Sequence, residues 1–299
     1  MMRESILAEL RRQLLDRCPL TALPEPVLRA TAALNTWGSN SIEGNGLSLE
    51  DVDRIVLEDM TPGGRSVGDV LETVQHMAAF EGLFGRASEP ITTQTAQELH
   101  LQVFQGVIHD AGRWRGGDVS VTGSFHTPPH ADWVAPMMLE WEHELVEREM
   151  GEGNVTATAT WMHHRFETIH PFSDGNGRAG RLLLNLYLLR HNWPPVHVLP
   201  MDRDRYLDAM GEGHTGHLPP LAALIRVLLG RSLVLLLDVM GSKEDELLRV
   251  SELEKDGPYS AKYLALRASQ GELPAVMRVG RWCTSRRALG MYRRELGRG

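Results

Sequence analysis

The sequence predicts a mainly α protein with one short β hairpin and a small, basic C-terminal module. Three observations carry that prediction. Apolar residues recur at spacings of three and four through most of the 299 residues. In the first two thirds of the chain, alternation of period two is clear only around Trp114, Val119 and Val121. The charge is split: residues 259–299 hold nine basic side chains against Glu272 and Glu295, a segment of +7 in a chain of −8, which leaves −15 for the rest.

The elements follow in order. Ile6, Leu7, Leu10, Leu14 and Leu15 share one face of a first helix. Pro24 and Pro26 interrupt, and a helical run resumes over 27–37. Ser48 ahead of Leu49-Glu50-Asp51 reads as an N-cap with acids in the first turn. Residues 61–64 form a loop, then 67–84 and 93–108 are amphipathic helices, the second capped near Thr92. Between 112 and 136 the alternation of Trp114, Val119 and Val121, with turn residues at Thr122-Gly123-Ser124 and Thr127-Pro128-Pro129, predicts the hairpin. Helices return over 135–149, 154–168, 178–189, 203–210 and 221–240. Residues 243–256 read as an exposed helix or a linker. Beyond Gly257-Pro258 come a helix, a turn at Gly271, a short hairpin around Gly280 and a closing helix over 285–296.

The length fits two or three domains at roughly 100–200 residues each. The chain divides into an N-terminal helical region (1–105), a core (106–242) and a C-terminal module (257–299). Apolar residues at 42% and charged residues at 23% are ordinary for a globular protein. The apolar stretches 182–189 and 233–237 fall short of the roughly 20 residues a bilayer requires. The charged N-terminus lacks the apolar core of a signal peptide. A cytoplasmic protein without a membrane partner is expected, with Cys18 and Cys283 as reduced thiols.

The chemistry concentrates in His170-Pro171-Phe172-Ser173-Asp174-Gly175-Asn176-Gly177-Arg178-Ala179-Gly180-Arg181. Two glycines around an asparagine allow successive N–H groups to converge on one anion. A helix starts there, and its free N–H groups and dipole favour phosphate. Arg178 and Arg181, three apart, can reach the same phosphate chain. Asp174 offers a hard oxygen for Mg²⁺, and His170 can take a proton from a hydroxyl at neutral pH. Singly, each residue would more often be a turn, a cap or a structural histidine.

Together they resemble the signature of the Fic family, His-Pro-Phe-x-Asp/Glu-Gly-Asn-Gly-Arg-x-x-Arg, at all nine specified positions. Chance agreement is on the order of one in a billion at about 5% usage per residue type. The resemblance runs over roughly 34–236. Gly112-Arg113-Trp114-Arg115, Val119-Ser120-Val121-Thr122-Gly123 and His126-Thr127-Pro128-Pro129 resemble the family's flap hairpin, which holds the target segment by strand addition. Asp204-Arg205-Tyr206 resembles the segment whose tyrosine contacts the adenine side of ATP. The resemblance implies a Fic-type helical bundle that moves AMP from ATP to a Ser, Thr or Tyr hydroxyl of a protein, with self-modification as one outcome. His170 is then the general base and Asp174 the Mg²⁺ ligand. The segment Gly175, Asn176, Gly177, Arg178, Ala179, Gly180 and Arg181, with Tyr206, binds the nucleotide, and Val119, Val121, Thr122 and Gly123 bind the target.

Ser39-Asn40-Ser41-Ile42-Glu43-Gly44 resembles a second family pattern, Ser/Thr-x-x-x-Glu-Gly/Asn, whose glutamate competes with the γ-phosphate for the second loop arginine, here Arg181. The C-terminal module resembles a winged helix-turn-helix. DNA, a protein surface and a homodimer contact are all open as its partner, as is a plain solvated basic face. The main alternative is a DNA-binding regulator or toxin–antitoxin component with a nucleotide-sensing Fic domain. A kinase or a phosphocholine transferase on the same loop are the nearer ones.

Overall fold

The structure is a computed structural model that describes residues 2–57, 64–121, 125–151, 153–253, 255 and 257–297. It divides into two compact units, each discontinuous in sequence: Pro24–Asn192 with His197–Ala222, and Met1–Leu23 with Trp193–Val196 and Ala223–Gly299. The first helix, α1 (Glu4–Leu15), belongs to the smaller unit and buries the face of Ile6, Leu7, Leu10 and Leu14 that its spacing predicts.

The larger unit holds α2 (Glu25–Ile42), α3 (Leu49–Leu57), α4 (Val67–Gly85), α5 (Thr93–Phe104), α6 (Val134–Met150), α7 (Val155–Ile169), α8 (Asn176–Arg190) and α9 (Arg203–His214). Its centre is α8, buried along most of its length, which packs against α2, α4, α5 and α7. Arg178 through Leu189 are all buried along it. Each fully buried leucine there contributes about 1.5–3 kcal/mol of transfer free energy, so the start of α8 is anchored by the body that follows it. Local caps behave as the sequence predicts. Ser48 Oγ accepts from Asp51 N at 3.1 Å, and Thr92 and Thr95 close a capping box at α5.

Two elements depart from expectation. The helix expected over 93–108 stops at Phe104, because Gln105 turns to extended backbone and Gly106 takes φ +79°. The hairpin expected over 112–136 forms no strand among the described residues, which exclude Thr122, Gly123 and Ser124. An isolated two-stranded ribbon is marginal in water. Here Gly116-Gly117 and Pro128-Pro129 weaken it further, and the carbonyls of Gly117 and Pro129 accept from the Arg115 guanidinium instead.

The smaller unit continues with α10 (Pro219–Met240), whose residues from Ala223 onward belong to it. This helix is long and apolar enough to cross a membrane by length and composition, contrary to the shorter stretches seen in the sequence, but 67% of its apolar window is buried inside the protein. Residues 243–256 are neither one helix nor a linker. They contain a 3₁₀ turn, β1 (Leu248–Arg249) and α11 (Val250–Leu253). The cause is Asp245, fully buried, which caps Ser242 and receives both Arg17 and Arg287. Then come α12 (Ala261–Ser269), β2 (Val276–Arg278), β3 (Arg281–Thr284) and α13 (Arg286–Glu295). The strands form an antiparallel sheet in the order β1-β3-β2, with Val276 opposite Cys283. Val279 and Gly280 both have positive φ at the hairpin turn. Three of its basic side chains pair within this unit, as Arg278–Asp238, Arg287–Asp245 and Arg267–Glu272.

Candidate active site

The site is built where α7 gives way to α8. His170 caps α7 in the left-handed region (φ 50°), with its N–H bonded to Phe166 O at 2.9 Å. A non-glycine residue there is uncommon and turns the imidazole out of the helix. Phe172 next drops into the core and stacks on His100 at 3.7 Å. The Asn176 side chain then staples the loop to itself: Oδ1 accepts from Phe172 N at 2.8 Å, and Nδ2 donates to Phe172 O at 2.9 Å. Gly175 starts α8 at φ +78°, and a Cβ there would overlap the Phe104 ring.

Two supports come from outside the motif. His100 Nδ1 accepts from Gly112 N at 2.9 Å, so Nε2 carries the proton and donates to Asp174 O at 2.9 Å. Arg115 is 3% exposed. Its Nε donates to His170 O at 2.8 Å and its Nη2 to Pro129 O at 2.5 Å, while its own N–H reaches Pro171 O at 2.9 Å. One guanidinium thus joins Pro129 to the loop that starts at His170.

Each loop arginine meets a carboxylate. Arg181 Nη2 donates to Glu43 Oε1 at 2.6 Å and to Ser39 O at 3.0 Å, and its Nε donates to Ser39 Oγ at 2.9 Å. Ser39 and Glu43, four apart at the end of α2, grip it together. Gly177 makes the room, since a Cβ there would overlap Glu43 Oε1. Burial alone would raise the Glu43 carboxyl, yet Arg181, with Arg178, holds it below the usual carboxylate range. Arg178 pairs through Nη1 with Glu72 Oε2 on α4.

His170 is held neutral. Burial pushes its pKa down to about 4, and Arg115 adds to this, against a hydrogen bond to the Glu167 backbone that pulls upward. Its Nδ1 lies 4.0 Å from Glu167 Oε2. Glu167 itself is pushed up to about 8 by burial, partly offset by Arg181 and reinforced by Glu43. Its Oε1 is buried without a hydrogen-bond partner, lying over Gly180 where a Cβ would overlap it.

The structure therefore brings His170, Asp174, Gly175, Asn176, Gly177, Arg178, Ala179, Gly180 and Arg181 together with Ser39 and Glu43. Ala179 is fully buried in the helix. Asp174 is exposed, with Oδ1 accepting from Gly175 N at 2.6 Å. Tyr206 is 4% exposed; its hydroxyl bonds His163 Nε2 at 2.8 Å and its ring centre lies 6.0 Å from the Arg181 guanidinium. It supports that arginine. Val119 and Val121 lie on irregular backbone, and Thr122 and Gly123 lie outside the described residues. Sequence reasoning missed Glu72, His100, Phe104, Arg115, His163 and Glu167. Arg115 stood in the flap motif but carried no local signal of its role.

Comparison with known proteins agrees with this geometry. Residues 90–188 match the model of the Fic/DOC family. A protein adenylyltransferase Fic from Nematostella vectensis is 29% identical over 221 residues, which cover 72% of this chain and 51% of that protein. The chain thus spans about half the length of that curated relative. A Fic domain containing signaling protein from Bacteroides thetaiotaomicron superposes with a TM-score of 0.71 at 23% identity, over 79% of this chain and 99% of that one. A Fic family protein from Desulfovibrio desulfuricans superposes at 0.65 and 20% identity, over 95% and 97%. The fold and the loop define a Fic domain. Residues 90–188 thus form a domain similar to those of the Fic/DOC family.

Proposed function

We propose that this protein is an adenylyltransferase that moves AMP from ATP to a hydroxyl side chain of a protein and is restrained by its own Glu43. The observation that carries the proposal is a neutral His170 beside a helix N-terminus whose arginine is occupied by a carboxylate in place of a phosphate. The name of the Nematostella relative supports the reaction class.

His170 Nε2 would take the proton of the incoming hydroxyl, whose oxygen attacks the α-phosphorus in line while pyrophosphate leaves. The anion beside it would draw the imidazole pKa back up as the proton arrives. The α8 N-terminus would hold the phosphates, and Arg181, once freed of Glu43, would neutralise them. Among the described residues no cluster of three metal-ligating side chains exists. Mg²⁺ nonetheless fits, because it binds through one or two carboxylates plus substrate phosphates and water. Asp174 would hold it, and it would supply charge neutralisation of the polyphosphate.

A DNA-binding role for the smaller unit has less support, since Arg267, Arg278 and Arg287 are paired within it. Labelling with α-³²P-ATP tests the main reading. Glu43→Gly should raise incorporation about tenfold or more by freeing a buried charge-assisted pair. Labelling of that variant no stronger than wild type removes the restraint from the proposal, and no transfer by either removes the reaction.

A further inference from the structure

Arg178 is 6% exposed and enclosed. Its Nη1 is paired with Glu72, the Phe104 ring centre lies 4.4 Å from its guanidinium, and its buried Nε has no hydrogen-bond partner. Glu72 is itself well covered, with its side chain 18% exposed. It comes from α4, whereas Glu43 comes from the end of α2. The two pairs share one chemistry: a carboxylate from a neighbouring helix sits on a guanidinium in the opening turns of α8.

We propose that Glu72 is a second carboxylate competitor in this site, which sets the affinity for the donor polyphosphate through Arg178. This rests on the reading of the loop as a nucleotide site. Arg178 acts where the anion would lie, because its charge is felt by the Glu43 carboxyl that now occupies that place. The two competitors ride on helices bonded to each other. Asn40 Nδ2 donates to Thr73 Oγ1 at 3.1 Å, and Thr36 Oγ1 meets His76 Nδ1 at 3.1 Å, both contacts buried. Asn40 lies between Ser39 and Glu43, and Thr73 is next to Glu72. Withdrawal of Glu43 therefore pulls on the backbone that carries Glu72.

A buried guanidinium stripped of its carboxylate is a costly charge, and an entering phosphate relieves that cost. Removing Glu72 should thus tighten nucleotide binding. The competition acts equally on ground and transition states, so it falls on KM and leaves kcat alone. A role confined to packing would not produce that split.

The test uses the full chain carrying Glu43→Gly. Mg·ATP is titrated calorimetrically and AMP transfer is followed at steady state. Adding Glu72→Gln should lower Kd and KM about tenfold with kcat within about twofold, and Glu72→Asp should fall between. Combining Glu72→Gln with Arg178→Gln should abolish the gain. An unchanged or weaker Kd in folded Glu72→Gln overturns the proposal, as does a gain that survives loss of Arg178. If Glu72→Gln does not fold, Glu72→Asp decides: a lower Kd supports the proposal and an equal or higher one overturns it. A Glu43→Gly parent that binds Mg·ATP but transfers nothing counts against the reaction alone. A parent that binds no Mg·ATP overturns both.

Discussion

The catalytic loop and the flap lie side by side and solve opposite problems. From Phe172 to Arg181 the loop spends its polar groups internally: Asn176 on Phe172, His100 on Asp174, Ser39 and Glu43 on Arg181. The flap, by contrast, is held at its base, by Arg115 and by His126 donating to Thr168 O at 2.8 Å, and carries no strand at Val119–Val121. On the proposed reaction, a group that would meet a phosphorus atom in one geometry is preorganised. A backbone that would accept varied segments needs no fixed partner of its own.

Four experiments break or sharpen that contrast. The largest effect is expected in the loop: His170→Ala should cut AMP transfer about a thousandfold while Mg·ATP binding stays near the parent value. Single-turnover rates alongside a binding titration check this, and transfer at the parent rate would remove the base assignment. Arg115→Ala attacks the junction of the two regions. It strands several buried carbonyls and should cost about 3 kcal/mol in urea denaturation, with transfer lost in proportion to the loosened loop.

The third is a pH profile of Tm. His76 and His163 are pushed down to about 3 and His197 to about 4 by burial, below their unfolded values. The unfolded chain therefore binds more protons, and stability should fall as pH drops from about 6.5 toward 4. Glu167 has the opposite sign. Its folded pKa near 8 lies above the unfolded value, so its contribution is complete below about pH 4.5 and is lost as pH rises to 8. Glu167→Gln should remove the loss of stability between about pH 4.5 and 8 and leave the profile below about pH 4.5 unchanged. The smallest effect belongs to the flap. Val119→Thr with Val121→Thr should change self-labelling by less than about twofold, because pairing through backbone tolerates the side chain. A loss comparable to that of Arg115→Ala would mean that side chains there select the target.

Much of this was legible in the chain. The helices, the Ser48 and Thr92 caps and the twelve-residue loop are local, and the Glu43 pattern lies in six consecutive residues. The flap was read as strands because alternation at Trp114, Val119 and Val121 is a real period-two signal. It fails because a ribbon needs a partner that this unit does not supply among the described residues. The α5 terminus was overrun by four residues because Val107 and Ile108 keep the apolar period past the point where Gly106 ends the helix.

The amino-acid order by itself determined the anion loop, its histidine and the helix that begins there, since backbone angles and caps are set by residues a few positions apart. Which carboxylate holds which arginine was decided only by tertiary packing. Glu72 reaches Arg178 across 106 positions and Glu43 reaches Arg181 across 138. An isolated glutamate carries no mark of its partner, because the partner is chosen by which helix faces lie together, and that follows from burying the leucines of α8.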